Sequence, residues 1–140
     1  MARKPLTCVF EKEGDSFRIP DNETFCKLYG EAANDGEKEV FVSDYSVSYQ
    51  VLGEHYTEDD MIAASAMLAD LWDDANRGIA EIRAALGLTQ KQFAHRFCIP
   101  QQTISAWEAD RRSPPAYLIL LMSDMAGLSK VKRGPADEQN

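Results

Sequence analysis

The chain has 140 residues, enough for one domain or two very small ones, which excludes large multidomain enzymes. Hydrophobic residues make up 44% and charged residues 27%, so disordered, collagen-like and coiled-coil chains are excluded as well. The net charge of −8 is unevenly distributed: residues 1–74 carry 6 Lys or Arg against 17 Asp or Glu, and residues 75–133 carry 9 against 4. Because salt screens charges beyond roughly 10 Å, the basic second half can attract phosphate despite the acidic total.

The cysteines and the hydropathy of the chain indicate its class. The chain has three cysteines, Cys8, Cys26 and Cys98, and no two of them form a C-x-x-C pair. An odd number of widely spaced cysteines fits neither a disulfide framework nor a zinc site. No apolar run approaches the roughly 20 residues that span a bilayer. We therefore expect a reduced, cytoplasmic protein with no membrane segment, no metal and no other cofactor.

Alternating polar and apolar residues predict strands in the first half. Leu6, Cys8 and Phe10 alternate with polar residues, and Phe17 and Ile19 do so again after a turn signal at residues 13–15, which predicts a hairpin. Residues 40–52 give the clearest predicted strand, with five apolar residues on one face: Phe41, Tyr45, Val47, Tyr49 and Val51. Residues 21–33 fit either a helix or another strand, and a stripe of four residues favours the helix: Phe25, Leu28, Tyr29 and Ala32.

The hydrophobic period then changes from two to about 3.6. Thr57 followed by Asp60 resembles a capping box, which predicts that a helix begins there. Its buried stripe comprises Met61, Ala64, Leu68, Leu71, Trp72 and Ala75, and we expect Asp70 and Asp74 on the solvated face. Residues 76–78 read as the break after this linking helix.

Four short helices are predicted beyond residue 78. The first is followed by Gly87, and the second begins at Thr89, where Gln92 completes a capping box. Residues 98–100 form a tight turn before a third helix over residues 101–109. Pro115 opens the last helix, which carries Tyr117, Leu118, Leu121, Met122 and Met125.

These elements together predict an α+β fold. We expect an acidic β-rich domain over residues 1–56, a linking helix over residues 57–74, an all-α domain over residues 75–128 and a flexible tail over residues 129–140.

Two of the short helices carry a specific motif. Residues 88–94 read LTQKQFA, and residues 101–108, after the turn, read QQTISAWE. This stretch resembles the helix-turn-helix of the Cro and phage-repressor family, with its Leu-Thr-Gln start, its turn and its recognition helix ending in Trp-Glu. The resemblance covers residues 79–126, about a third of the chain.

The resemblance implies a set of DNA-contacting residues. Gln101, Gln102 and Thr103 occupy the first turn of the recognition helix, where family members contact bases and phosphates; a Gln amide can pair with N6 and N7 of adenine. The resemblance further implies a backbone contact by Gln90, which often bonds the first recognition glutamine, and phosphate contacts by Arg111 and Arg112. Lesser contacts are implied for Ser105 and Ala106.

The resemblance also implies a structural ion pair between Arg83 and Glu108. Three residues depart from the family pattern. Cys98 and Asp110 stand where glycine is usual, and Pro100 stands where a Ser or Thr cap is usual. Asp tolerates a left-handed backbone, and the fixed φ of proline suits a helix start, so we expect the motif to survive.

The sequence therefore predicts a DNA-binding transcriptional regulator, most simply a repressor, that binds a palindromic operator as a homodimer. Either the linking helix or the β-rich half would supply the dimer contact. The alternative is an antitoxin-type protein whose acidic N-terminal half binds a basic protein partner and whose C-terminal half autoregulates its operon. The order of parts is similar to some toxin-antitoxin antitoxins, although this chain lacks their paired N-terminal cysteines. We expect no enzyme, because the common nucleophile, zinc-protease and phosphate-loop motifs are missing.

Overall fold

A computed structural model describes residues 11–13, 16–19, 22–34, 36–46 and 57–131. These residues form one short hairpin and seven helices. In chain order the elements are β1 (Glu11–Glu13), β2 (Ser16–Arg18), α1 (Asn22–Asn34), α2 (Lys38–Ser46), α3 (Glu58–Ala75), α4 (Ile79–Leu86), α5 (Gln90–Phe97), α6 (Gln101–Glu108) and α7 (Ala116–Met125).

The predicted α+β fold with a β-rich N-terminal domain is wrong, because the described residues of that half are mostly helical. A hairpin is present, with Glu13 paired to Ser16 and Glu11 to Arg18, but each strand has only three residues. The alternation at Leu6, Cys8 and Phe10 lies outside the described residues.

The strand predicted over residues 40–52 is a helix as far as the structure describes it. Phe41 and Tyr45 are buried on α2, with ring centroids 5.3 Å apart. A spacing of four residues puts two side chains on one face of a strand and also on one face of a helix, so this pair does not separate the two periods. Ser43 distinguishes a strand from a helix. In a strand it would lie on the same buried face as Phe41 and Tyr45, whereas in the structure it is exposed. Val47, Tyr49 and Val51 lie outside the described residues.

Helices α1 and α3 lie where the sequence predicted helices. Four predicted stripe residues of α1 are buried: Phe25, Leu28, Tyr29 and Ala32. Thr57 and Asp60 cap α3 reciprocally, since each backbone N–H donates to the other side chain, at 3.0 and 3.1 Å. The solvated position predicted for Asp74 is wrong: its carboxylate is buried and accepts a 2.8 Å hydrogen bond from the equally buried Arg77.

The chain divides into two compact units, residues 1–73 with 130–140, and residues 74–129. In the first unit the Asp73 carboxylate accepts hydrogen bonds from Lys38 at 2.9 Å and from Lys130 at 3.3 Å. Partial burial alone would raise the pKa of Asp73, but the bonds from the two ammonium groups outweigh it and hold that pKa below its ordinary value of 3.8. Val131 is buried in the same unit.

The second unit has its own hydrophobic core, to which all four of its helices contribute. The core residues are Ile79, Ile82, Phe93, Ala94, Ile104, Ile119 and Met122. Helix α6 packs on α5 and α4, and α7 packs on α4. This core therefore fixes α6 relative to α5. No helix among the described residues combines the length and apolarity needed to cross a bilayer.

Candidate nucleic-acid interface

Helix α5 begins at a complete capping box. The Thr89 hydroxyl accepts from the N–H of Gln92 at 3.1 Å, and the Gln92 side chain accepts from the N–H of Thr89 at 2.9 Å. This double cap fixes where the helix starts. It therefore also fixes the position of Gln90, the first residue of α5.

A tight turn joins α5 to α6. Cys98 adopts the left-handed conformation at φ 55°, and the next N–H, that of Ile99, donates back to Ala94 at 3.0 Å. Pro100 precedes α6 at φ −57° without a side-chain cap, and its carbonyl accepts from Thr103 at 2.9 Å. The turn therefore forms even though cysteine and proline replace the usual residues.

The first turn of α6 projects its glutamines outward. Ile104 faces the core and is fully buried, whereas Gln101 and Gln102 are exposed and Thr103 is half-buried. A shallow surface depression brings the glutamines together with a residue of α5; its lining residues are Gln90, Pro100, Gln101, Gln102 and Ser105. Residues from both helices of the motif thus share one open surface.

A second depression continues this surface past the end of α6. It is lined by Gln102, Ser105, Ala106, Arg111 and Arg112. Ala106 differs from the other predicted contact residues because it is only 7% exposed. Its carbonyl accepts the backbone N–H of Arg111 at 2.9 Å, which fixes the start of the segment that carries the two arginines.

The ends of the four helices show why Arg111 stands out. Each helix of this unit is followed by a left-handed residue, and the N–H of the next residue donates back into the helix; the left-handed residues are Gly87, Cys98, Asp110 and Gly127. After three of these ends the donating residue is apolar and packs against the core: Leu88, Ile99 and Leu128. After α6 it is Arg111, which is exposed. The left-handed helix end, which packs an apolar side chain against the core after the other three helices, exposes a cation after α6.

Arg83 and Glu108 form a bidentate pair between α4 and the last residue of α6. Arg83 Nε donates to Glu108 Oε2 at 2.8 Å, and Nη2 donates to Oε1 at 2.9 Å. Arg83 Nη1 also donates to the carbonyl of Leu88 at 3.0 Å. The bonds from Arg83 hold the pKa of Glu108 below its ordinary value of 4.5, although partial burial acts in the opposite direction, and the same bonds raise the pKa of Arg83.

Gln90 joins this pair. Its Nε2 donates to Glu108 Oε1 at 3.3 Å, and this bond lowers the pKa of Glu108 further. The resemblance implied a bond from Gln90 to the first recognition glutamine, and no such bond appears in the part of the chain that the structure describes. The link from Gln90 to Glu108 was missed because the two residues lie 18 positions apart and nothing in their spacing signals contact.

Most of the cations of the second unit lie at its surface, where they can attract anions locally. Arg77 and Arg83 are held by Asp74 and Glu108. The unit's other four cationic side chains are exposed and make no ion pair with any described residue: Lys91, Arg96, Arg111 and Arg112. Lys91 and Arg96 were not singled out from the sequence.

Helices α5 and α6 are short and are joined by a three-residue turn, and α6 is buried at Ile104 and exposed at its glutamines. This arrangement is that of a DNA-binding helix-turn-helix. A family comparison agrees: residues 79–131 match the model of the helix-turn-helix family. The resemblance to the Cro and phage-repressor family is confirmed, and this segment is a helix-turn-helix domain. No curated protein and no solved structure matches the chain.

Proposed function

We propose that this protein is a sequence-specific transcriptional regulator, acting as a repressor, that reads the DNA major groove with α6 (Gln101–Glu108). The observation that carries the proposal is the shared surface of Gln101 and Gln102 with Arg111 and Arg112. Base-reading amides and phosphate-binding guanidinium groups lie side by side there. Sequence-specific binding needs both kinds of contact.

The glutamines would supply the reading of sequence. A Gln amide has one acceptor and two donor hydrogens, which match N6 and N7 of adenine in the major groove. Each such pair is worth about 1 to 3 kcal/mol of discrimination against the wrong base. The exposure of Gln101 and Gln102 at the start of α6 supports this role, and the half-buried Thr103 and Ser105 would make lesser contacts.

The cations would supply affinity that is independent of sequence. Arg111 and Arg112 follow α6 on the surface that carries Gln102, and Lys91 and Arg96 add two exposed cations on α5. A protein that neutralises phosphates releases counterions, so its affinity falls steeply as salt rises. Binding through this surface would therefore weaken with ionic strength.

A homodimer is part of the proposal, and the exposed face of α7 supports it. Tyr117, Leu121 and Met125 repeat at intervals of four residues and are 66%, 55% and 56% exposed. We call these three residues the α7 stripe. Only Ser123 and Asp124 are polar among the ten residues of α7. A helix that is apolar on nearly all sides, but buried on one, needs a further partner.

The partner that fits the α7 stripe is a second copy of this chain. The stripe carries no charge, so a two-fold axis can bring two stripes together without placing like charges opposite each other. It offers on the order of 300 Å² of apolar surface, whereas a stable dimer buries about 800 Å² per partner. The pairing would therefore be weak in the free protein and would be completed on a palindromic operator, where DNA holds both copies.

The antitoxin alternative gains no support from a specific contact. Its layout began with a β-rich N-terminal domain, and the described residues of that half are mainly helical. The acidic composition of residues 1–74 remains, but it identifies no partner. We therefore propose the regulator alone.

Selection from random duplex DNA tests the proposal. The full-length chain is incubated with the pool, and bound duplexes are amplified and sequenced over several rounds. We expect an enriched palindrome whose half-site centres lie about 10 base pairs apart, one helical turn. Affinity for that duplex should fall steeply as salt rises. A pool without an enriched motif would contradict the proposal.

A further inference from the structure

The amide of Gln90 lies between the internal ion pair and the candidate DNA surface. On its inner side Nε2 donates to Glu108 Oε1 at 3.3 Å, and the same oxygen accepts from Arg83 at 2.9 Å. Gln90 also lines the depression that holds Gln101 and Gln102. The Gln90 side chain is therefore positioned to bond to Glu108 on one side and to contact DNA on the other.

Glu108 determines which way that amide is turned. An ionised carboxylate accepts hydrogen bonds and donates none, so only the NH₂ end of Gln90 can bond to it. The carbonyl end of an amide has nearly the same shape, and without a carboxylate partner the group could rotate by half a turn at little steric cost. Bonding to Glu108 leaves one N–H of Gln90 and its Oε1 available.

The orientation of the amide affects its use toward DNA. Phosphate oxygens only accept, so they bond to an N–H and repel an amide oxygen. Base edges in the major groove present both donors and acceptors. A fixed amide therefore offers one defined pattern, whereas a freely turning one must be ordered at each binding event, which lowers affinity.

We propose that Glu108 is a positioning residue for DNA recognition, which fixes the Gln90 amide in its binding orientation through the 3.3 Å hydrogen bond. Arg83 bonds to the same carboxylate, but the positioning contact runs directly from Glu108 at the end of α6 to Gln90 at the start of α5. This inference rests on the proposed function, because it assigns Gln90 a contact with DNA.

A purely structural role for Glu108 would give a different pattern from the positioning role. If Glu108 only stabilises the fold through Arg83, then Gln90→Met should weaken DNA binding by the same factor whether or not Glu108 is present. Arg83→Lys is the matched control, since it removes the bidentate guanidinium and leaves the Glu108 carboxylate free to accept from Gln90. Glu108→Gln removes the charge at almost constant volume.

The experiment is a double-mutant cycle read as the Kd for the duplex selected by the wild-type chain. The variants are Gln90→Met, Glu108→Gln and Arg83→Lys, with Gln90→Met also combined with each of the other two. Circular dichroism sets an assay temperature at which every variant is folded. A second readout is the side-chain amide resonance of Gln90 in the DNA-free protein, measured by NMR.

We expect Gln90→Met to weaken binding about fivefold in the wild-type chain, the factor for one ordinary hydrogen bond. In the Glu108→Gln background it should change Kd by less than about twofold, because the two effects are coupled. In the Arg83→Lys background the loss should remain about fivefold. The Gln90 amide resonance should shift with Glu108→Gln and stay near its wild-type position with Arg83→Lys.

An equal loss from Gln90→Met in all three backgrounds would overturn the inference, as would a Gln90 resonance indifferent to Glu108→Gln. The proposed function would survive both results if the wild-type chain still selects a duplex. A wild-type chain that selects no duplex overturns the proposed function and this inference together.

Discussion

Arg83 and Glu108 lie 25 residues apart in the chain, yet two hydrogen bonds of 2.8 and 2.9 Å join the guanidinium of one to the carboxylate of the other. Arg83 is on α4, and Glu108 is the last residue of α6. The pair therefore fixes the end of the candidate recognition helix to a helix that carries none of the predicted base contacts. Its geometry allows several consequences to be tested.

The first prediction concerns stability. Glu108→Ala leaves a partly buried guanidinium without its main partner, so we expect the free energy of unfolding to fall by about 2 kcal/mol. Glu81→Ala is the control, because the Glu81 carboxylate is exposed and its distance of 3.5 Å from the nearest Arg77 nitrogen makes a weaker ion pair. It should cost less than about 0.5 kcal/mol. Urea unfolding measures both, and equal losses would contradict the importance of the Arg83–Glu108 pair.

The second prediction concerns pH. Since the pKa of Glu108 is lowered in the fold, its stabilising contribution is complete above its ordinary pKa of 4.5 and is lost as pH falls through the lowered value. The difference in thermal midpoint between wild type and Glu108→Gln should therefore be constant at neutral pH and shrink below about pH 4.5. Asp73, whose pKa is also lowered, should leave an acid-sensitive remainder in the variant. A difference that grows in acid would refute the assignment.

The third prediction concerns the two non-glycine residues in the left-handed conformation, Cys98 at φ 55° and Asp110 at φ 58°. Cβ is unfavourable there, so Cys98→Gly should stabilise the protein by about 1 kcal/mol. Asp110→Gly should give a smaller gain, because Asp tolerates this region better than most residues. Gly87→Ala, at φ 70°, is the reciprocal control and should destabilise. Thermal unfolding that ranks these variants differently would show that backbone conformation does not dominate at these turns.

The fourth prediction concerns the α7 stripe. Leu121→Lys puts a charge in the middle of the stripe, so we expect it to remove the cooperativity with which two copies fill the duplex while the helical spectrum is retained. Ile62→Lys on α3 is the matched control, since Ile62 is 61% exposed and lies on the linking helix that the sequence offered as a dimer contact. Sedimentation equilibrium with the selected duplex present measures both. Dissociation by Ile62→Lys alone would place the contact on α3 instead.

The second unit could be predicted from sequence because its signals are local. The capping box of Thr89 and Gln92, the glycines after α4 and α7, and the buried positions of α5 and α6 all depend on neighbouring residues. In the N-terminal half the pattern was ambiguous. Phe41 and Tyr45 fit both periods, whereas Val42, an apolar residue on the predicted polar face, and Ser43, a polar residue on the predicted apolar face, argue against a strand.

Sequence reasoning missed features that depend on how the helices pack, or in which a charged residue is buried. Asp74 follows the periodicity of a solvated face, but Arg77, three residues later, takes it into a buried pair. The bond from Gln90 to Glu108 depends on how α5 and α6 pack, which spacing does not reveal. The exposure of the α7 stripe likewise depends on which side of a mostly apolar helix packs against the core, and Ile119 and Met122 are the residues on that side.

The central claim is that Gln101 and Gln102 read bases while Arg111 and Arg112 bind phosphate, and one pair of double variants tests it most directly. Binding is measured against a panel of duplexes carrying every single-base change in the selected motif, at several salt concentrations. Gln101→Ala with Gln102→Ala should flatten discrimination by about 1 to 3 kcal/mol at particular base pairs and leave the salt slope intact. Arg111→Ala with Arg112→Ala should weaken binding uniformly across the panel and reduce the slope by about 2. An unchanged sequence preference in the glutamine variant would contradict the account.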